Sequence, residues 1–204
     1  FVVTFQISIS VTVICVFMGY PLCYWLTRVS DRTAAILMVF VLVPFWTSVL
    51  VRTYAWLVLL QRNGIINSSL MSMGIIEEPL QLAHNLTGSI IGMVHIMLPF
   101  LILPLYATMR SVDTDLVRAA VGLGSSPRGA FWRVFFPMSL PGLFAGIVLV
   151  FILSLGFFVT PALLGGGRVQ MLAQRIESPI TIYSNWGAAS ALGVILLLLA
   201  LVMI

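Results

Sequence analysis

Apolar residues run through this chain in blocks too long for the helices of a soluble domain, and short polar stretches holding almost all of the charge divide them. A helix needs about 20 mostly apolar residues to cross the hydrocarbon of a bilayer, so the length of each block decides its role. Five blocks reach or approach that length, at about 1–27, 34–60, 88–110, 141–164 and 187–204. The second carries Arg52 in its apolar continuation. Between the third and fourth, residues 134–140 are assigned to the preceding loop, because Pro137 and Pro141 are expected to stop a helix there. The predicted fold is all-α: a polytopic membrane protein, a bundle of at least five transmembrane helices forming a single domain over 1–204. Phe1 and Ile204 both lie inside apolar runs, so the sequence is expected to continue at either end, with further spans. The first block has no basic n-region and no small-residue cleavage pattern, and is read as a span rather than a signal peptide.

Composition narrows the class in the same direction. The chain is 61% hydrophobic and 8% charged, with a mean hydropathy of +1.14, which excludes a soluble globular domain. All ten basic residues are Arg. Placing Arg28, Arg32, Arg110, Arg118, Arg128 and Arg133 on one side leaves Arg62, Arg168 and Arg175 on the other, with Arg52 in or beside a span. Arginine in short loops favours the cytoplasmic side, so the 27–33 and 110–136 connections face inward, and 61–87 and 165–186 face outward. This bias accounts for most of the net charge of +4 without a nucleic-acid partner. Cys15 and Cys23 share one apolar span and read as packed thiols rather than a disulfide or a metal site.

The inward loop at 111–137 is the polar interruption with the most internal order. Asp113 and Asp115 precede Leu116, Val117, Ala119, Ala120 and Leu123, the arrangement of a helix start whose free N–H groups a carboxylate accepts. Gly124 suits the left-handed position after a helix end. Ser126 then caps a second helix with Pro127 at its first position, where a missing N–H costs nothing. Two short helices joined by a turn at Gly124, Ser125 and Ser126 are predicted. Ala119, Ala120, Gly122, Gly124 and Gly129 leave this pair a surface of little bulk. Chemistry alone admits a docking knob for another protein or a solvated linker.

The spacing Arg118-Ala119-Ala120, Gly124, Val134, Phe136-Pro137 resembles the EAA loop of permease subunits of ATP-binding-cassette importers. Val134 and Phe136 stand for the Ile and Leu of that pattern, and Arg118 replaces its Glu. Further likeness to the spermidine/putrescine-type branch lies in Pro44-Phe45-Trp46-Thr47-Ser48, Val51-Arg52-Thr53-Tyr54, Leu98-Pro99-Phe100, Leu103-Pro104-Leu105-Tyr106 and Ser139-Leu140-Pro141-Gly142. The resemblance implies a type I importer permease of MetI-like fold in the bacterial inner membrane, carrying a polyamine, opine or similar small organic solute. It also implies its partners: two ATPase subunits that hold ATP and Mg2+, a second permease subunit of a homologous but different kind, and a periplasmic solute-binding protein, with no cofactor on this chain. The loop residues Asp115, Arg118, Ala119, Ala120, Gly124, Ser125, Ser126, Pro127, Val134 and Pro137 are then the ATPase-coupling site. Arg118 reverses the charge of the family's Glu, and Asp115, three residues earlier on the same helical face, is the expected local partner.

No phosphate-binding loop is present: Gly165-Gly166-Gly167 is followed by Arg168-Val169 rather than by Lys and a hydroxyl residue, and reads as an outer turn. An enzyme would need a constellation of His, Asp, Glu or Cys at one face, yet the acids are scattered over the polar connections. A channel or secondary transporter would place acids at mid-membrane, and no carboxylate falls within a span. Candidates for the translocation path are Trp46, Arg52, Tyr54, Trp56 and His95. Arg52 either faces a cavity or reaches into the outer headgroups with the aromatics as an interfacial belt. His95 reads as a hydrogen-bonded packing residue sooner than as a ligand. Pro44, Pro99, Pro104 and Pro161 permit kinks. The outer segment 61–86 is long for a connection; a short amphipathic helix in it serves as receptor contact or as structural cover.

Overall fold

The computed structural model describes residues 1–167, 169–183 and 186–202. Arg168 and the end of the fifth predicted span lie outside the described residues. Among the described residues every regular element is helical, and eleven α-helices follow in order: α1 (Val2–Leu26), α2 (Asp31–Leu42), α3 (Val49–Leu60), α4 (Ile65–Ser72), α5 (Leu86–Ser111), α6 (Thr114–Gly122), α7 (Pro127–Ala130), α8 (Phe136–Leu155), α9 (Val159–Leu164), α10 (Leu172–Tyr183) and α11 (Trp186–Val202). Helix α1, helix α5 and the continuous run 127–155 are each long and apolar enough to span a bilayer. Helix α11, at 17 residues, sits at the lower limit.

Two predicted spans need correction. The block at 34–60 is not one helix: α2 ends in a 3-10 turn, Val43–Trp46, and α3 sets off at 100° to it. Pro44 opens the 3-10 turn, and the Thr47 N–H and hydroxyl both close on the Pro44 carbonyl, at 3.2 and 2.9 Å. Thr47 is extended, with ψ 143°, so the helix cannot continue. The fourth span, predicted at 141–164, begins earlier and ends sooner. Pro137 does not stop it, because a π-helical turn at Phe131–Phe135 joins α7 to α8, and Pro141 sits inside α8 without ending it. There the Phe136 N–H donates to the Phe131 carbonyl, five residues back. The widened turn shifts the register just where Pro137 has no N–H to give. The run then stops at Gly156, and α9 is a separate short helix.

The core is a three-helix packing of α1, α5 and α8. Cys15 Sγ donates to the Val94 carbonyl at 3.8 Å and Cys23 Sγ to the Ile102 carbonyl at 3.7 Å, an equal step of eight residues on both helices. Helices α1 and α5 therefore run parallel, and the two thiols are buried packing groups. Helix α8 runs the other way, with Phe5 against Phe151 at one end of α1 and Tyr20 against Phe136 toward the other. Close approach to α5 is set by Gly142 and Gly146, four residues apart, as small-residue helix contacts in membranes require. A Cβ on Gly142 would lie 2.7 Å from the Pro104 carbonyl oxygen, and one on Gly146 would lie 3.0 Å from that of Leu101. Large apolar side chains such as Phe17, Phe40, Phe144 and Leu197 stand exposed on the outer faces, the condition of a surface solvated by lipid.

Contacts sort the polar connections into two ends. Asp31 pairs with Arg110, bringing the 27–33 turn against the end of α5. At the opposite end the Asn85 N–H donates to the Leu164 carbonyl, and the Leu172 N–H donates to Thr4 Oγ1. The outer segment is closed by Asn67, a residue of α4 with no solvent exposure. Its amide donates to the Gln61 and Leu80 carbonyls at 3.0 and 2.9 Å, and accepts from the Leu80 N–H at 3.0 Å. Asn67→Ala leaves those buried backbone groups unpaired, at about 1–3 kcal/mol for each unsatisfied group. The thermal midpoint of the purified protein should fall, and Asn67→Asp, which cannot donate, should fall with it.

Candidate functional site

The inward elbow is built by its caps. The Asp115 N–H donates to Asp113 Oδ1 at 2.8 Å, fixing the start of α6. Its end is closed by Gly124 N–H on the Val121 carbonyl and Ser125 N–H on the Ala120 carbonyl, both at 3.0 Å, with Gly124 at φ +92°. That is the pair of bonds a left-handed glycine permits after a helix. Ser126 Oγ then accepts from the Gly129 N–H at 3.1 Å, and Pro127 occupies the first turn of α7. The first predicted helix, the turn and the start of the second therefore stand as read from the sequence, while the second helix is not short: it runs on through the π turn into α8.

None of the residues of α6 is buried. Arg118 Nη1 donates to Asp115 Oδ1 at 3.1 Å, with both side chains about four-fifths exposed at 80% and 77%. The pair orients two side chains and contributes little stability, since exposed ion pairs are screened. Ala119, Ser126, Pro127 and Pro137 are exposed; Ala120, Ser125 and Val134 are half-buried. The bulky crest escaped the sequence reading, which noted the small residues. Leu123 is 90% exposed and Trp132 62%, with Leu116 and Val121 also bare. Leu116, Ala120 and Leu123 repeat at helical spacing, a stripe that ordinarily faces its own core. Here the chain reverses at Gly124 before anything covers it. Beside the elbow lies a cavity of about 640 Å³ whose lining includes Thr27, Arg28, Arg110, Asp113 and Arg118.

The five path candidates divide. Trp56 Nε1 donates to His95 Nδ1 at 3.1 Å, joining α3 to α5, with the rings 5.7 Å apart at 68°. The proton of the neutral imidazole is then on Nε2. His95 also borders a cavity of about 310 Å³ with Leu22, Phe40, Pro44 and Pro99. Arg52, one turn before Trp56, is half-buried. Its Nε is buried without a hydrogen-bond partner. Trp46 and Tyr54 are exposed on this subunit, at 82% and 61%. Next to this group Thr53 and Thr160 share a buried hydroxyl contact of 3.0 Å between α3 and α9, which no sequence spacing signalled. Among the described residues no group of three His, Cys, Asp or Glu could hold a metal ion.

Residues 8–204 match the family described as the binding-protein-dependent transport system inner membrane component. The chain is 36% identical over 195 residues to the spermidine/putrescine transport system permease protein PotB of Haemophilus influenzae, covering 95% of this chain and 68% of that protein. Against PotB of Escherichia coli it is 31% identical over 189 residues, 92% of this chain and 69% of the relative. The inner membrane ABC transporter permease protein YdcU of Escherichia coli is 32% identical over 176 residues, 79% and 56% of the two chains. The chain thus spans about two thirds of the length of the PotB relatives. In fold it is similar to a chain of a bacterial ABC transporter that imports the acidic polysaccharide alginate, with a TM-score of 0.71, 16% identity and coverage of 99% and 75%. It is also similar to a chain of an amino acid ABC transporter, with a TM-score of 0.63, 17% identity and coverage of 99% and 86%. This chain belongs to the inner membrane components of binding-protein-dependent transport systems, the permeases of ATP-binding-cassette importers, and is a transport component rather than an enzyme.

Proposed function

We propose that this permease forms half of the path of a type I importer for a polyamine or a related small organic solute in the bacterial inner membrane. A second, homologous permease supplies the other half, a solute-binding protein delivers from outside, and two ATPase subunits holding ATP and Mg2+ grip the 111–137 elbows. One observation carries the reading: the elbow is rigidly capped at each helix start, yet Leu116, Leu123 and Trp132 stand bare where the arginine bias puts the cytoplasm. A solvated linker has no reason to hold an apolar crest in a fixed shape; a docking element does.

The polyamine assignment is supported by the likeness to PotB. The acids of this chain, Asp31, Glu77, Glu78, Asp113, Asp115 and Glu177, lie outside its long spans, so charge selection for a polyamine falls to the receptor and the second permease. Arg52, with its unpartnered Nε, favours a second reading, a carboxylate-bearing solute such as an opine. Co-expression with the second permease, the ATPase and the solute-binding protein of the same importer tests the assignment. The ATPase should co-purify, and receptor loaded with spermidine or putrescine should stimulate ATP hydrolysis and uptake in proteoliposomes. Stimulation by a carboxylate-bearing solute instead would select the second reading. Absence of any nucleotide-binding partner would reject both.

A further inference from the structure

The elbow is joined to the spanning bundle through an aromatic joint that the sequence does not advertise. Helix α7, the π turn and α8 are one continuous run, so displacement of the elbow reaches α8 through Phe131–Phe135. A π turn is the weak point of such a rod, because its extra residue can be absorbed or released. Helix α1 covers that point. Tyr24 meets Phe131 edge-on at 5.0 Å and 76°, and Phe135 at 5.2 Å and 74°. One turn earlier, Tyr20 lies 6.4 Å from Phe131 and 5.8 Å from Phe136. Beyond the joint its hydroxyl is 3.0 Å from Ser139 Oγ on α8. Phe131 and Phe135 are themselves stacked at 5.8 Å and 20°. Tyr24 is held in turn by Arg28, whose Nη2 donates to its hydroxyl at 2.6 Å. Edge-to-face contacts fix orientation as well as separation, which aliphatic packing does not.

We infer that Tyr24, supported by Tyr20, is a positioning residue of the coupling step. It clamps the π-helical joint to α1, so that movement of the elbow carries α1 and α8 together instead of being lost in the joint. This rests on the proposed docking of an ATPase at the elbow. Without the clamp, the elbow can follow the ATPase while the spans stay behind, and hydrolysis proceeds without transport.

The test uses the complete importer in proteoliposomes, reading both uptake and ATP hydrolysis in the presence of loaded receptor. Tyr24→Leu keeps apolar bulk and removes the ring; Phe131→Leu attacks the same contact from the other side. Either should leave hydrolysis within about twofold and lower solute carried per ATP by about tenfold, the size of an ordinary coupling effect. Tyr24→Phe, which keeps the ring and loses only the hydroxyl, should retain coupling. An unchanged ratio, a proportional fall in both readouts, or failure of both Leu variants to assemble would overturn the inference and leave Tyr24 as packing alone. Failure of the parent importer to show ATP-driven uptake would instead reject the docking reading beneath it.

Discussion

Gly142→Leu is expected to abolish recovery of a folded, monodisperse protein. At that position α8 rests on α5 so closely that even a Cβ would stand 2.7 Å from the Pro104 carbonyl oxygen and 2.5 Å from Thr108 Cβ. Neither neighbour can move cheaply. The first is backbone, and the second is the root of a β-branched side chain with few rotamers. Inserting bulk into a well-packed contact costs about 1–3 kcal/mol where side chains can shift, and more where backbone must. Here the whole helix would have to withdraw from the contact that Gly146 makes with Leu101 one turn on. Gly142→Ala should be intermediate. Gly156→Ala, at a helix end with nothing within 4 Å of the added Cβ, should be neutral. Size-exclusion profiles and thermal midpoints in detergent check all three, and a normal profile for Gly142→Leu would show that the two helices are not in this contact.

What could be read in advance follows from what each signal measures. Local capping chemistry acts over four or five residues, so Asp113, Gly124, Ser126 and Pro127 announced the elbow almost residue by residue. Hydropathy measures length but not direction. It placed α1 and α5 closely, yet took 34–60 as one span, because apolar residues continue straight across the 100° bend. Pro44 permits a kink; the extended Thr47 that completes the break has no residue type of its own. The misreading of Pro137 and Pro141 has a different cause. A proline stops an α-helix by clashing with a carbonyl one turn back; a π turn moves that carbonyl away from Pro137, whereas Pro141 sits inside α8 beyond the π turn. The choice between the two outcomes depends on aromatic packing against Tyr20 and Tyr24, about a hundred residues distant. Long-range pairings were invisible for the same reason. His95 reads as a hydrogen-bonded residue, but no local spacing pairs it with Trp56, 39 residues away. Asn67 carries no signal within the 61–86 segment, because its three backbone bonds to Gln61 and Leu80 form only once the segment folds back on itself.

Gly124→Val should leave the permease folded and weaken its grip on the ATPase. The residue stands at φ +92° with nothing within 4 Å, so substitution meets no steric neighbour and acts through the backbone alone. A left-handed conformation costs an ordinary residue about 1–2 kcal/mol, and a β-branched one is the worst placed to adopt it. Because α6 buries none of its residues, relaxing the turn costs the rest of the fold little, and the strain is relieved by opening the elbow. A cost of that size lowers the equilibrium constant for the intact turn by about 5- to 30-fold, which is the upper limit of the fall in its population. A partner that requires the turn loses affinity by up to the same factor. The variant should therefore match the parent in yield and thermal midpoint, yet lose most of the co-purifying ATPase and of receptor-stimulated hydrolysis. Gly124→Asn, whose side chain tolerates the left-handed region, should recover much of both. Full ATPase retention by Gly124→Val would mean that the shape of the turn at Gly124 plays no part in docking, and with it would go the mechanical reading of the elbow.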